Sequence, residues 1–85
     1  MEYKVIKIGA AWCPPCKMLD KRLEAFNECE VIKYDAEDDE EIVNKFNVRN
    51  IPVTILVDDN ENELHRWVGL FDVNEISEKI KELNG

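Results

Sequence analysis

Two prolines between two cysteines set the tightest constraint on this chain. Trp12-Cys13-Pro14-Pro15-Cys16-Lys17 joins an apolar, strand-like run, Tyr3 to Ile8, to a helical pattern of Met18, Leu19, Leu23 and Phe26. Proline has no N–H and a fixed φ, so a helix accepts it readily only in the first turn. Pro14 and Pro15 therefore mark a helix start, and the spacing predicts a helix from Pro14 to Phe26. Cys13 falls just before that turn. Unpaired N–H groups and the positive end of the helix dipole gather there. Both favour a thiolate over a thiol, and the thiolate is the reactive species. Two cysteines with two residues between them can close a small, reversible disulfide, and such a pair beside a βαβ pattern reads as a redox motif.

The rest of the chain supplies that pattern. Glu30 to Tyr34 reads as a second strand. Asp38 with Glu41 matches a capping box for a second helix carrying Ile42, Val43 and Phe46 on one face. Pro52 to Val57 is an apolar, β-branched run, which predicts a strand buried on both faces. The cluster Asp58 to Asn62 is a turn, and Glu63 to Val68 completes a hairpin that Gly69 ends. Asp72 with Glu75 forms another capping box. The helix after it has Val73, Ile76, Ile80 and Leu83 as its apolar stripe. The first strand, helix and second strand form a parallel pair with a right-handed crossover. The expected fold is α/β, a mixed four-stranded sheet with three helices in the order βαβαββα. Its first strand lies centrally, between the second and third.

Composition narrows the function. Residues 1–85 are read as a single domain. A net charge of −8 argues against nucleic acid and anionic membrane surfaces as partners, since both need a basic patch. No apolar run approaches transmembrane length. The start, Met1-Glu2-Tyr3, shows no basic segment followed by an apolar one, so no signal peptide is read. Three cysteines argue against a structural disulfide framework, and a lone C-x-x-C fits a reducing cytoplasm. A cytoplasmic monomer is the expectation. Zinc would need about four ligands, and Cys29 falls at the far end of the first helix, too far to join Cys13 and Cys16. Cys29 is read as a small, partly buried filler, and His65 as a solvated residue in mid-strand.

These residues resemble the thioredoxin family. Trp12 to Lys17 is similar to its WCxPCK active site, Ile51-Pro52 to its Ile–cis-Pro, and Val68-Gly69 to the Val-Gly that ends its last strand. The three occur in the family's order and cover nearly the whole chain. The resemblance implies a thioredoxin-like fold lacking the first strand and helix of the full-length form. It also implies a protein-disulfide reductase. Cys13 attacks and Cys16 resolves, with Pro14, Pro15 and Lys17 shaping the loop and Trp12, Ile51, Pro52, Val68 and Gly69 lining an apolar groove. No organic cofactor or metal is required. The implied partners are disulfide-containing proteins and a thioredoxin reductase, or the glutathione system, as electron donor.

Two positions depart from the family. Pro14 replaces a customary Gly, which stiffens the loop. Lys7 stands five residues before Trp12, where the family has a buried acid that aids proton transfer at the second cysteine. Lys33 stands where its lysine partner often lies, so the pair reads as two like charges. Lys7 either runs its ammonium out to solvent or stays beneath the dithiol and tunes it, and the latter is the favoured reading. The alternatives are a glutaredoxin-like, glutathione-dependent reductase and a redox-silent binding module. No basic residue poised for a glutathione carboxylate follows Gly69, and a silent scaffold has no need of both cysteines.

Overall fold

A computed structural model describes residues 2–85; Met1 lies outside them. The elements are β1 (Tyr3–Gly9), α1 (Pro14–Glu24), β2 (Glu30–Asp35), α2 (Glu40–Lys45), β3 (Val53–Asp58), β4 (Glu63–Val68) and α3 (Asn74–Asn84). The sheet order is β2-β1-β3-β4. β1 pairs parallel with β2 and antiparallel with β3, and β3 pairs antiparallel with β4. The mixed α/β sheet with three helices and a central β1 is the expected architecture.

The two faces of the sheet bury different sets of side chains. Tyr3 and Val5 of β1 join Leu56, Trp67, Leu19 and Leu23 of α1, and Ile76 of α3. Ile6 and Ile8 join Val53, Ile55, Val57 and Phe46 on the α2 face. β3 is buried at every position from Val53 to Val57, as its unbroken apolar run predicts for a strand covered on both faces. Trp67 is buried while its neighbour Val68 is exposed, the alternation a strand imposes. Its ring stacks on Phe71 at 5.0 Å.

Several boundaries move from the sequence expectation, for local reasons. α1 ends at Glu24, short of Phe26, because Ala25 and Phe26 turn their N–H groups to the carbonyls of Arg22 and Leu23, the tighter three-residue closure common at helix ends. The N-cap of α2 is Asp39 and not Asp38, and its carboxylate makes no cap bond. That carboxylate instead accepts from the Asp35 N–H at 3.1 Å, holding the end of β2. The N-cap of α3 is Val73, although the Asp72 carboxylate accepts from the Asn74 N–H at 3.0 Å. Met18 and Leu83 belong to the helical apolar patterns, yet both are exposed. His65 is half-buried, with its ring edge-on to Trp67 at 4.6 Å, and so is less solvated than its neighbours imply.

Leu19 ties α1 to the sheet and is fully buried. Leu19→Ala should destabilise the fold by about 2–5 kcal/mol, the range for buried leucine truncation. Urea unfolding of the reduced protein measures this, and a loss well under about 1 kcal/mol would show that α1 is not anchored by this contact.

Candidate functional site

The strand register gathers the site at one end of the sheet. Ile8 lies opposite Val53, and Val53 lies opposite Val68. The end of β1, the start of β3 and the end of β4 therefore meet there. The β1–α1 loop delivers the cysteines to that end, Pro52 precedes β3, and Val68-Gly69 closes β4. The Gly69 N–H donates to the Pro52 carbonyl at 2.7 Å, which joins the two loops. Gly69 has φ +86°, a left-handed conformation that glycine adopts without strain. The Ile51–Pro52 peptide is cis.

Cys13 is the N-cap of α1, with Pro14 and Pro15 at its first two positions. The backbone thus follows the proline logic of the sequence. The Cys13 Sγ accepts from the Cys16 backbone N–H at 3.3 Å. It fills the role that a serine or aspartate oxygen plays at other helix starts. The two sulfurs are bonded, with Cα atoms 5.2 Å apart. Cys13 is 5 % exposed and Cys16 1 %, so the first cysteine faces the surface more than the second. Both pack with Ala10, and Ile51 lies against them.

The surroundings divide into an exposed rim and a buried floor. Trp12 and Val68 are 66 % and 59 % exposed, although each is large and apolar. Pro14, Pro15 and Lys17 are also exposed, and Pro52 is buried. The Trp12 indole N–H donates to the Glu37 carboxylate, a partner that nothing in the sequence pattern marks. Met18, 51 % exposed on α1, adds apolar surface that helical periodicity assigns to the core.

The floor separates the two readings of Lys7 and corrects its like-charge pairing. It does not run out to solvent: the residue is 4 % exposed. Nor does it face only a like charge. Its Nζ lies 2.9 Å from Asp20 Oδ1, and Lys33 Nζ lies 3.7 Å from the same oxygen. Asp20 therefore stands between two lysines that the sequence reads as an unrelieved pair. The Lys7 approach lies outside hydrogen-bond geometry, and Asp20 Oδ1 accepts no directed hydrogen bond among the described residues. The attraction is one of charge. Asp20 follows Cys16 by four residues, which places both on one side of α1, and that spacing is the signal that could have found it.

Gly9 explains how the amine comes so near the dithiol. It follows Lys7 by two residues and so shares its face of β1. A Cβ on Gly9 would stand 2.6 Å from Lys7 Nζ and 3.0 Å from Cys16 Sγ. The amine and the sulfur thus close on one point, which only a residue without a side chain leaves free.

A sequence profile of the thioredoxin family matches residues 2–82. The chain belongs to the thioredoxin family. Among relatives, this thioredoxin-family protein is 40 % identical to the SPbeta prophage-derived thioredoxin-like protein YosR of Bacillus subtilis over 81 residues, spanning 94 % of this chain and 98 % of that one. It is 29 % identical to Thioredoxin H2 of Arabidopsis thaliana, but the match covers 93 % of this chain and 61 % of that protein. Among solved structures, a mutant thioredoxin from Halobacterium salinarum superposes with a TM-score of 0.84 at 26 % identity, covering 95 % of this chain and 74 % of that one. Fasciola hepatica thioredoxin gives 0.82 at 27 %, covering 95 % and 80 %. The vicinal cysteine pair fits the thiol–disulfide oxidoreductase chemistry of the family.

Cys29 stands apart from the dithiol of this thioredoxin-family domain. It is half-buried against the cluster of Leu19, Leu23 and Trp67, the filler position expected of it. Burial, then the neighbouring Glu28 charge, raises its thiol from 9.0 to about 11. A raised folded value means that the stability contributed by the neutral thiol is complete below pH 9.0 and is lost as pH climbs towards about 11. In a variant lacking Cys13 and Cys16, Cys29 should resist iodoacetamide at neutral pH and react only in strong alkali. Rapid labelling at neutral pH, followed by mass mapping, would show instead a thiol open to solvent.

Proposed function

We propose that this protein reduces disulfide bonds in partner proteins, with Cys13 as nucleophile and Cys16 as resolving thiol. The observation that carries the reading is the capping geometry. Cys13 Sγ already accepts a first-turn N–H of α1, from Cys16, so a negative sulfur there gains a donor and the helix dipole together. Both favour the thiolate over the thiol once the disulfide is reduced.

The chemistry runs in two displacements. Cys13 thiolate attacks one sulfur of the partner disulfide. A Cys13–partner S–S bond forms, the partner S–S bond breaks, and its outer sulfur leaves with the electron pair and takes a proton from solvent. Cys16, after losing its proton, attacks Cys13 Sγ. The internal disulfide forms and the second partner sulfur leaves as a thiol. Two electrons pass from the Cys13/Cys16 dithiol to the partner disulfide. A reductase of the thioredoxin reductase kind restores the dithiol.

Binding draws on the rim. Trp12 and Val68 present exposed apolar surface at the end of the sheet that carries the dithiol, with Ile51 packed against the cysteines and Gly69 holding the β4 loop on Pro52. An extended partner segment would lie across these residues and pair with backbone before Pro52. Pro14, Pro15 and Lys17 hold the loop and its exposed edge. Such a shallow contact suits many partners at modest affinity, because little area is buried.

Reduction of insulin disulfides with a thioredoxin reductase and its electron donor tests the activity; glutathione with glutathione reductase is the comparison. Cys16→Ser should accumulate mixed disulfides with partner proteins, whereas Cys13→Ser should accumulate none. At mildly acidic pH, alkylation of the reduced chain should mark Cys13 before Cys16. Preferential marking of Cys16 would reverse the assignment of the nucleophile.

A further inference from the structure

Large apolar side chains left in water are ordinary when scattered and mark an interaction site when they gather. Among the described residues, Trp12, Met18, Val68, Leu70 and Leu83 are exposed. Leu83 sits beside Asn84, whose side chain accepts from the Tyr3 hydroxyl at 2.8 Å, so it belongs to the end of the sheet where β1 starts. The other four belong to the end where β1 delivers the dithiol. Trp12 is tied to Glu37, just past β2, whereas Val68 ends β4 and Leu70 follows it. β2 and β4 are opposite edges of the sheet. Trp12 therefore lies towards one edge, and Val68 and Leu70 towards the other.

Met18 joins the β4 side. Arg22 follows it by four residues and so shares its side of α1. The Arg22 guanidinium donates to the Phe71 carbonyl at 2.9 Å, which turns that side of α1 towards the β4–α3 loop. The Phe71 ring is itself stacked on Trp67 at 5.0 Å, so the loop is held on both counts. Leu70 precedes Phe71, and Met18 lies one turn nearer the dithiol than Arg22. Pro15, three residues before Met18, continues the same side and is exposed. A seam thus runs between α1 and the loop. The Arg22–Phe71 bond closes its far end, and Pro15, Met18, Leu70 and Val68 line it at the dithiol end.

We infer that Met18 and Leu70 form an apolar subsite for partner proteins, beside the groove of Trp12, Ile51 and Val68 and distinct from it. The inference rests on the oxidoreductase reading above. The occupant is an aliphatic or aromatic side chain that stands next to the disulfide in the partner. The seam is continuous with Val68, so a segment paired with backbone before Pro52 passes from Val68 onto Met18 and Leu70. The four lining residues carry no charge, and the Arg22 guanidinium is committed to the Phe71 carbonyl. A polar partner residue would lose water there and find no hydrogen bond in return. Methionine suits such a wall, because its unbranched thioether adapts to side chains of different shape. Met18 and Leu70, 51 % and 37 % exposed, have the free apolar surface to give. They touch the partner's side chain and not the reacting sulfurs, so they set specificity.

The test uses disulfide-linked homodimers of a short peptide, with either Leu or Ser on both sides of its single cysteine. The parent protein should favour the Leu form in kcat/KM by about fivefold or more, the effect of one anchoring contact, and the difference should fall on KM. Met18→Gln and Leu70→Gln should each lower that preference by about threefold or more, whereas Met18→Leu should keep it. Exposed substitutions rarely unsettle a fold, and urea unfolding of each variant checks this. A parental preference in either Gln variant overturns the inference. A parent that reduces dithiobis(nitrobenzoate) yet shows no preference between the peptides overturns the subsite and leaves the oxidoreductase reading standing. A parent that reduces neither peptide nor dithiobis(nitrobenzoate) refutes that reading, and the subsite with it.

Discussion

An ammonium beneath a helix must be paired, or the helix must lift. Lys7 projects from the central strand under α1 and is almost wholly buried. An unpaired charge in that place costs several kcal/mol, more than a domain of this size can spare. Asp20 removes the conflict from above. It is carried by the same helix that carries Cys16, and its outer side stays in water, so only one partner of the pair is fully desolvated. The seating of α1 on the sheet, and with it the height of the dithiol, involves that contact together with Leu19 and Leu23.

The remaining features of the site follow from how α1 begins. Two prolines cost nothing at positions whose N–H groups have no helical partner, and they leave Cys13 as the residue that must cap. A sulfur is a poor acceptor while neutral and a much better one while charged. The cap thus works best in the reactive state. The same turn brings Ala10 and Ile51 against the disulfide and leaves Trp12 outside, tethered to Glu37. Exposure of Trp12 and Val68 beside buried cysteines is a division of labour: the rim can meet a partner while the sulfurs stay out of bulk water.

Much of this was legible in the sequence, because it is written in periodicity and in residues with narrow conformational tolerance. The prolines, the unbroken run from Val53 to Val57 and the alternation through Trp67 and Val68 each allow few structures. Order and sheet type followed, while the placement of Ile51, Pro52, Val68 and Gly69 beside Cys13 and Cys16 came from the family resemblance. Helix caps were less legible, since Asp35, Asp38 and Asp39 crowd the start of α2 and the sequence does not rank them. Met18 and Leu83 satisfied helical spacing but fell at the margins of what the sheet can cover. Most opaque was the charge beneath the dithiol, because Lys7, Lys33 and Asp20 lie on three elements and meet only after packing.

Lys7, Gly9 and Asp20 make sense only as a set. The lysine stem runs along β1 towards Gly9, as the 2.6 Å from its Nζ to a would-be Cβ requires. Any side chain at position 9 would push the amine away from Cys16 or displace the sulfur. A short acid at position 7 could not extend so far along the strand, and a long base at position 20 would carry its charge out to the rim. The arrangement chosen here pairs the long cation inside with the short anion above it. It lets a charge rooted in the sheet reach a carboxylate that water can also reach. Each residue alone reads as an anomaly: a lysine in a central strand, a glycine at a strand end, an acid on a partly buried helix face. Their shared geometry is one solution to holding a paired charge beneath a buried sulfur.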